Sequence, residues 1–88
     1  MFYEVDILIE KVQINSCYPD GIRFRFILLN NKTNKTRYLV DNYNNHGPHE
    51  HPIYHIDRNK RVPLHVKNQS EAKEKFFDVI EAILLNEK

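Results

Sequence analysis

Four histidines, His46, His49, His51 and His55, crowd into the polar segment "DNYNNHGPHEHPIYH" (41–55), which is also broken by Gly47 and Pro48. Imidazole titrates at about 6.5, near neutrality, so such a cluster can move protons or hold a metal. His49 and His51 are two apart, and in an extended segment that spacing turns both rings to one side. His46 or His55 would complete a three-ligand metal set, with Asp41 able to add an oxygen and a fourth position left to water. Against a metal stands the absence of any strict ligand motif: there are neither two histidines at helical spacing around a glutamate nor paired cysteines.

The second chemistry needs no metal. Cleavage of RNA by its own 2'-hydroxyl requires a base for that proton, an acid for the leaving oxygen and cations for the charge that builds on phosphorus. Two imidazoles suit the proton roles. The chain between residues 21 and 40 holds Arg23, Arg25, Lys32, Lys35 and Arg37 with no acid, and Arg58, Lys60 and Arg61 follow the histidines. Arg23, Arg25, Arg37 and Arg58 are therefore the phosphate-binding candidates, although solvated arginines on an exposed strand face read the same way. A third reading, a merely solvated loop, must explain four histidines in one connection, and long connections in small domains are more often functional. The leading reading is a metal-independent acid–base site without a cofactor: His46, His49 and His51 are the catalytic candidates, and Asp41 orients an imidazole. The alternative is a non-enzymatic binding module whose histidine loop contacts a protein, a nucleic acid or a metal.

The elements that position these residues follow from hydropathy. The 88-residue chain is 41% hydrophobic with a formal net charge of +1, which fits one globular domain over 1–88 and excludes a disordered chain. Cys17 is the only cysteine and cannot form an internal disulfide, and no signal peptide or long apolar span is evident. The expectation is a cytoplasmic protein that does not enter a membrane.

"FYEVDILIEK" alternates Val5, Ile7 and Ile9 with acids, the pattern of a half-buried strand, and a bulge or bend is expected near Lys11. "GIRFRFILLN" turns Phe24 and Phe26 inward and Arg23 and Arg25 outward. "TRYLVDNY" returns after the polar turn "NNKTNK", with Arg37, Leu39 and Asp41 on the face opposite Tyr38 and Val40. The histidine segment reads as a loop, "IYHI" as a short fourth strand, and "VPLHV" as an extended piece that Pro63 confines to an edge. "NQSEAKEKFFDVIEAILLNEK" is a helix capped by Asn68 or Ser70. Its apolar stripe is Ala72, Phe76, Ile80 and Ile83; Phe77, Leu84 and Leu85 either widen the buried stripe, the commoner outcome, or are left for a partner, a homodimer being the simplest. The expected architecture is α+β: an antiparallel meander of about four strands packed by one C-terminal helix.

The succession "RYLVDNYNNHGPHEH", "PLHV" and "SEAKEKFFDVIEAIL" resembles the TumE-type toxin family of bacterial toxin–antitoxin systems. The likeness spans roughly residues 20–85, and its most specific elements are Asp41 and Asn42 followed by His46, Gly47, His49 and His51, with Arg37 before them. It implies a small cytoplasmic toxin encoded beside and masked by a helix-turn-helix antitoxin, while action as an endoribonuclease on RNA is inferred from the histidines and arginines themselves.

Overall fold

A computed structural model of the chain describes residues 2–43 and 47–86. The elements are β1 (Tyr3–Lys11), β2 (Ile22–Asn30), β3 (Lys35–Asp41), β4 (His49–His51), β5 (Val62–Pro63) and α1 (Gln69–Asn86). The five strands lie in chain order with every neighbouring pair antiparallel, and the helix packs on one face of the sheet. The α+β meander with one C-terminal helix is thus the observed fold, with five strands rather than about four.

Alternation decides which residues meet the helix. Phe24, Phe26 and Leu28 of β2 and Tyr38 and Val40 of β3 point to one side, where Ala72, Phe76 and Ile80 of α1 cover them. The Phe76 ring lies 5.8 Å from both Phe26 and Tyr38, centroid to centroid, a spacing at which aromatic pairs attract beyond simple area burial. Ile83 and Val79 flank this core, whereas Phe77 and Leu85 are exposed and, with Leu84, line a shallow apolar groove on the outer side of the helix.

Asn68 is the residue that starts α1. Its side-chain oxygen accepts from the Glu71 N–H at 3.0 Å, and the Glu71 carboxylate reaches back to accept from the Lys67 N–H at 3.0 Å. The reciprocal arm of this capping box therefore lands one residue before the cap. Asn68→Ala is expected to lower stability by about 1 kcal/mol, the usual loss on removing such a cap, as read from a denaturant titration.

Three expectations about elements are corrected. The fourth strand is not "IYHI", which forms a turn, but His49–His51, inside the segment read as loop. Pairing on two sides, Asp41 with His49 and His49 with Pro63, holds this short polar run extended despite Gly47 and Pro48. No bulge interrupts β1, whose register with β2 is continuous from Tyr3 to Lys11. The irregularity falls instead between Leu28 and Leu29, which pair with Tyr38 and Thr36 and so skip Arg37. Finally, Val5, Ile7 and Ile9 do share the helix side, but α1 lies over β2 and β3, and β1 stays an edge strand with these residues 40%, 41% and 42% exposed.

Candidate functional site

The sheet face opposite the helix carries the chemistry. Register places Arg25, Asp41 and His49 side by side across β2, β3 and β4, with Ile27, Leu39 and His51 in the next row. The turn after β4 folds over that face, and Tyr54, Arg58 and Arg61 from it and its continuation wall a cleft of about 380 Å³. A larger concavity of about 530 Å³ is lined by Cys17, Asp20, Gly47, Pro48 and the residues that start α1. Its lining brings no titratable groups into a cluster, so the smaller cleft is the candidate site.

At its base Asp41, His49 and His51 are all buried, with 5%, 4% and 7% of their surfaces exposed. Each imidazole turns its Nδ1 to a backbone carbonyl: His49 to Gly47 at 2.8 Å and His51 to Arg58 at 3.0 Å. A carbonyl oxygen only accepts, so both Nδ1 atoms must carry their hydrogens. The two Nε2 atoms are left facing each other 3.1 Å apart. Two lone pairs at that distance repel unless one cation lies between them, and a proton on His49 supplies it.

Asp41 reinforces that state. Its buried Oδ1 lies 2.6 Å from His49 Nε2, a contact that both hydrogen bonding and charge favour when the imidazole is protonated. Burial alone would push the His49 imidazole down, but Asp41 and the Gly47 carbonyl outweigh it and hold its pKa above the ordinary value. For His51 burial, joined by the charge of His49, wins and the pKa falls. Two chemically identical rings are thus driven in opposite directions, the pattern expected where one side chain gives a proton and its neighbour takes one.

Gly47 is needed where it stands. Its φ of +65° lies in the left-handed region, which glycine enters without strain, and its carbonyl is the one that orients His49.

The arginines divide. Arg25 lies over the Tyr43 ring, 4.4 Å from its centroid, with its Nε 4.0 Å from Asp41 Oδ2. Arg58 and Arg61 are exposed at the cleft wall. Arg23 is held away by Glu10, whose carboxylate accepts from its guanidinium at 2.9 and 3.2 Å, and this pairing keeps the Glu10 carboxyl below its ordinary range. Arg37, the residue skipped at the irregularity, donates to the Pro52 carbonyl at 2.9 Å and lines a separate small hollow with His55. Of the expected residues, therefore, Asp41, His49, His51, Arg25 and Arg58 come together and Arg23, Arg37 and His55 do not, while His46 lies outside the described residues. Tyr54, a tyrosine able to stack on an unpaired base, joins them, and Arg61 is an addition. Arg61 belongs to the same basic run as Arg58, a signal that was present in the sequence without indicating direction.

Asn42, part of the most specific stretch of the resemblance, is structural here. Its side chain extends the β2–β3 ladder past the end of β3, accepting from the Phe24 N–H at 3.0 Å and donating to the Ile22 carbonyl at 2.9 Å. Asn42→Asp keeps the shape but replaces the donor by an oxygen facing that carbonyl. A loss of about 1–3 kcal/mol is expected, measured as a fall in the urea midpoint.

The chain matches no protein-family model, and neither a curated protein nor a solved structure shows significant similarity to it.

Proposed function

We propose that the protein is an RNA-cleaving toxin of a bacterial toxin–antitoxin pair, working by acid–base chemistry without a metal. The observation that carries the reading is the pair of Nε2 atoms 3.1 Å apart beside a buried carboxylate, at the base of a cleft walled by arginines. His51, kept neutral, takes the 2'-hydroxyl proton. His49, kept protonated beside Asp41, gives its proton to the leaving 5'-oxygen, and the product end is a 2',3'-cyclic phosphate. Arg25, Arg58 and Arg61 hold the non-bridging oxygens while charge builds on them. Tyr54, whose ring meets His51 edge-on with centroids 5.4 Å apart, is placed to stack on an unpaired base.

The pairing with a helix-turn-helix antitoxin and the cytoplasmic location rest on the resemblance. Among the described residues no helix is long and apolar enough to cross a membrane. The groove between Phe77 and Leu85 and the uncovered row Val5, Ile7 and Ile9 offer a partner chain its apolar contact, whether that chain is the antitoxin or, in a homodimer, a second copy.

Expression in bacteria tests the reading. The wild-type chain should arrest growth, and the His49→Ala/His51→Ala variant, folded and still retaining RNA, should not. Arrest by a folded double variant would refute catalysis by this pair and favour a non-enzymatic binding module.

A further inference from the structure

The same three side chains make a second prediction about what enters the cleft. We propose that Asp41, His49 and His51 form a three-ligand site for a zinc-class divalent cation, which takes up the Nε2 atoms of both imidazoles and thereby switches the cleft off. The binding half of this proposal stands on its own, and the switching half rests on the ribonuclease reading.

One ligand atom from each of these buried residues lies within 4.8 Å of the others, and the Nε2 atoms of the two histidines and the Asp41 carboxylate meet at close range. In a tetrahedral zinc site with bonds of about 2.0–2.1 Å, neighbouring ligand atoms are roughly 3.3 Å apart. The two Nε2 atoms, at 3.1 Å, already stand near that edge length. The Asp41 oxygen, at 2.6 Å, reaches it by a small side-chain rotation outward. That oxygen is fully buried beside His49 Nε2, so a carboxylate oxygen and a ring nitrogen already converge there.

The outer contacts fit as well. A histidine that binds metal through one ring nitrogen commonly gives its other N–H to a carbonyl, which fixes the tautomer and aims the lone pair. Here both Nδ1 atoms are committed in that way, to Gly47 and to Arg58. Arg25 approaches the other carboxylate oxygen, Oδ2, and leaves Oδ1 to the ion.

Donor chemistry selects the metal. Two imidazoles and one carboxylate suit zinc and its transition-metal neighbours, whereas calcium and magnesium take oxygen ligands. Three protein ligands leave a fourth position facing the cleft. An ion there engages the Nε2 atoms of both rings, the atoms through which the pair would meet a substrate.

The test uses the full, untagged chain stripped of metal, with cobalt as a coloured probe and zinc as its competitor. One cobalt ion per chain should give the intense visible absorption of a low-coordinate site, and zinc should bleach it. Asp41→Asn, His49→Gln and His51→Gln, each confirmed folded by circular dichroism, should weaken binding by more than about 10–100-fold, the loss seen on removing even an outer-shell partner. His55→Ala and His65→Ala should bind like wild type. Cobalt bound equally well by a folded His49→Gln/His51→Gln double variant would mean an adventitious ion elsewhere and would overturn the site, as would no binding at all. For the switch, one equivalent of zinc should abolish RNA cleavage by the metal-free protein, and stimulation by zinc would overturn it. Stoichiometric binding by a chain that never cleaves RNA sinks the ribonuclease reading, and the switch with it, but leaves the metal site standing. Cleavage without any metal binding does the reverse.

Discussion

Alanine in place of His51 is expected to lower RNA cleavage by about 10²–10⁴-fold, the share that a positioned proton-transfer group contributes. His51 is the stronger choice of the pair because burial and the neighbouring imidazolium keep it neutral, the form in which it can take a proton. The fold should tolerate the change. β4 is held by backbone pairing to β3 and β5, and the ring's one backbone partner is the Arg58 carbonyl at the exposed turn. His51→Gln serves as a second variant that keeps a polar group in the cavity. Loss of cleavage in both variants, with unchanged thermal melts, points to proton transfer. Near-wild-type rates in a folded His51→Ala protein would remove His51 from the mechanism.

The second large effect is on stability. Phe76→Ala should destabilise the domain by about 3–5 kcal/mol, as is usual for an aromatic ring removed from a packed core. At 88 residues the whole domain is expected to be stable by only about 4–13 kcal/mol, so this one change consumes a large part of the margin. Phe76 is fully buried between the β2 and β3 rows, and among the described residues no other helix is available to close the gap. Phe77→Ala, one position on, removes a ring that is 44% exposed and should change stability by less than about 1 kcal/mol, since substitutions at the surface are usually small in effect. Paired urea titrations of the two variants measure the contrast. Equal losses would mean that the outer groove of α1 is covered in solution, as a homodimer would cover it.

The sequence made some of this legible and hid the rest for identifiable reasons. Strict alternation in "IRFRFIL" and "YLVD" is a local signal, and it assigns Phe24, Phe26, Tyr38 and Val40 to one face and Arg25 and Asp41 to the other without knowledge of the fold. The two-residue spacing of His49 and His51 likewise places both rings on one side as soon as the segment is extended. Pairing is not local. That His49–His51 is a strand at all depends on β3 and β5 flanking it, and the composition of the segment argues against it.

Arg37 shows the same limit, since one irregularity between Leu28 and Leu29 turns it out of the row that alternation assigns to it. Arg23 and Arg25 are equivalent in sequence, but only Arg23 stands opposite Glu10 in the register and is neutralised by it. The Nδ1 partners, the carbonyls of Gly47 and Arg58, belong to backbone and leave no mark on residue identity. They are nonetheless what sets both tautomers and so brings two Nε2 atoms together. Asn42 was visible as part of a motif, while its use as an extension of the β2–β3 ladder was not.

The most direct test is to incubate the purified, metal-stripped chain with an RNA oligonucleotide in a chelator and to analyse the new ends by mass spectrometry. Acid–base cleavage by His49 and His51 predicts fragments ending in 2',3'-cyclic phosphate, and no cut at a position whose 2'-hydroxyl is replaced by hydrogen. RNA left intact by a folded protein, or cut equally well at the 2'-deoxy position, would contradict it.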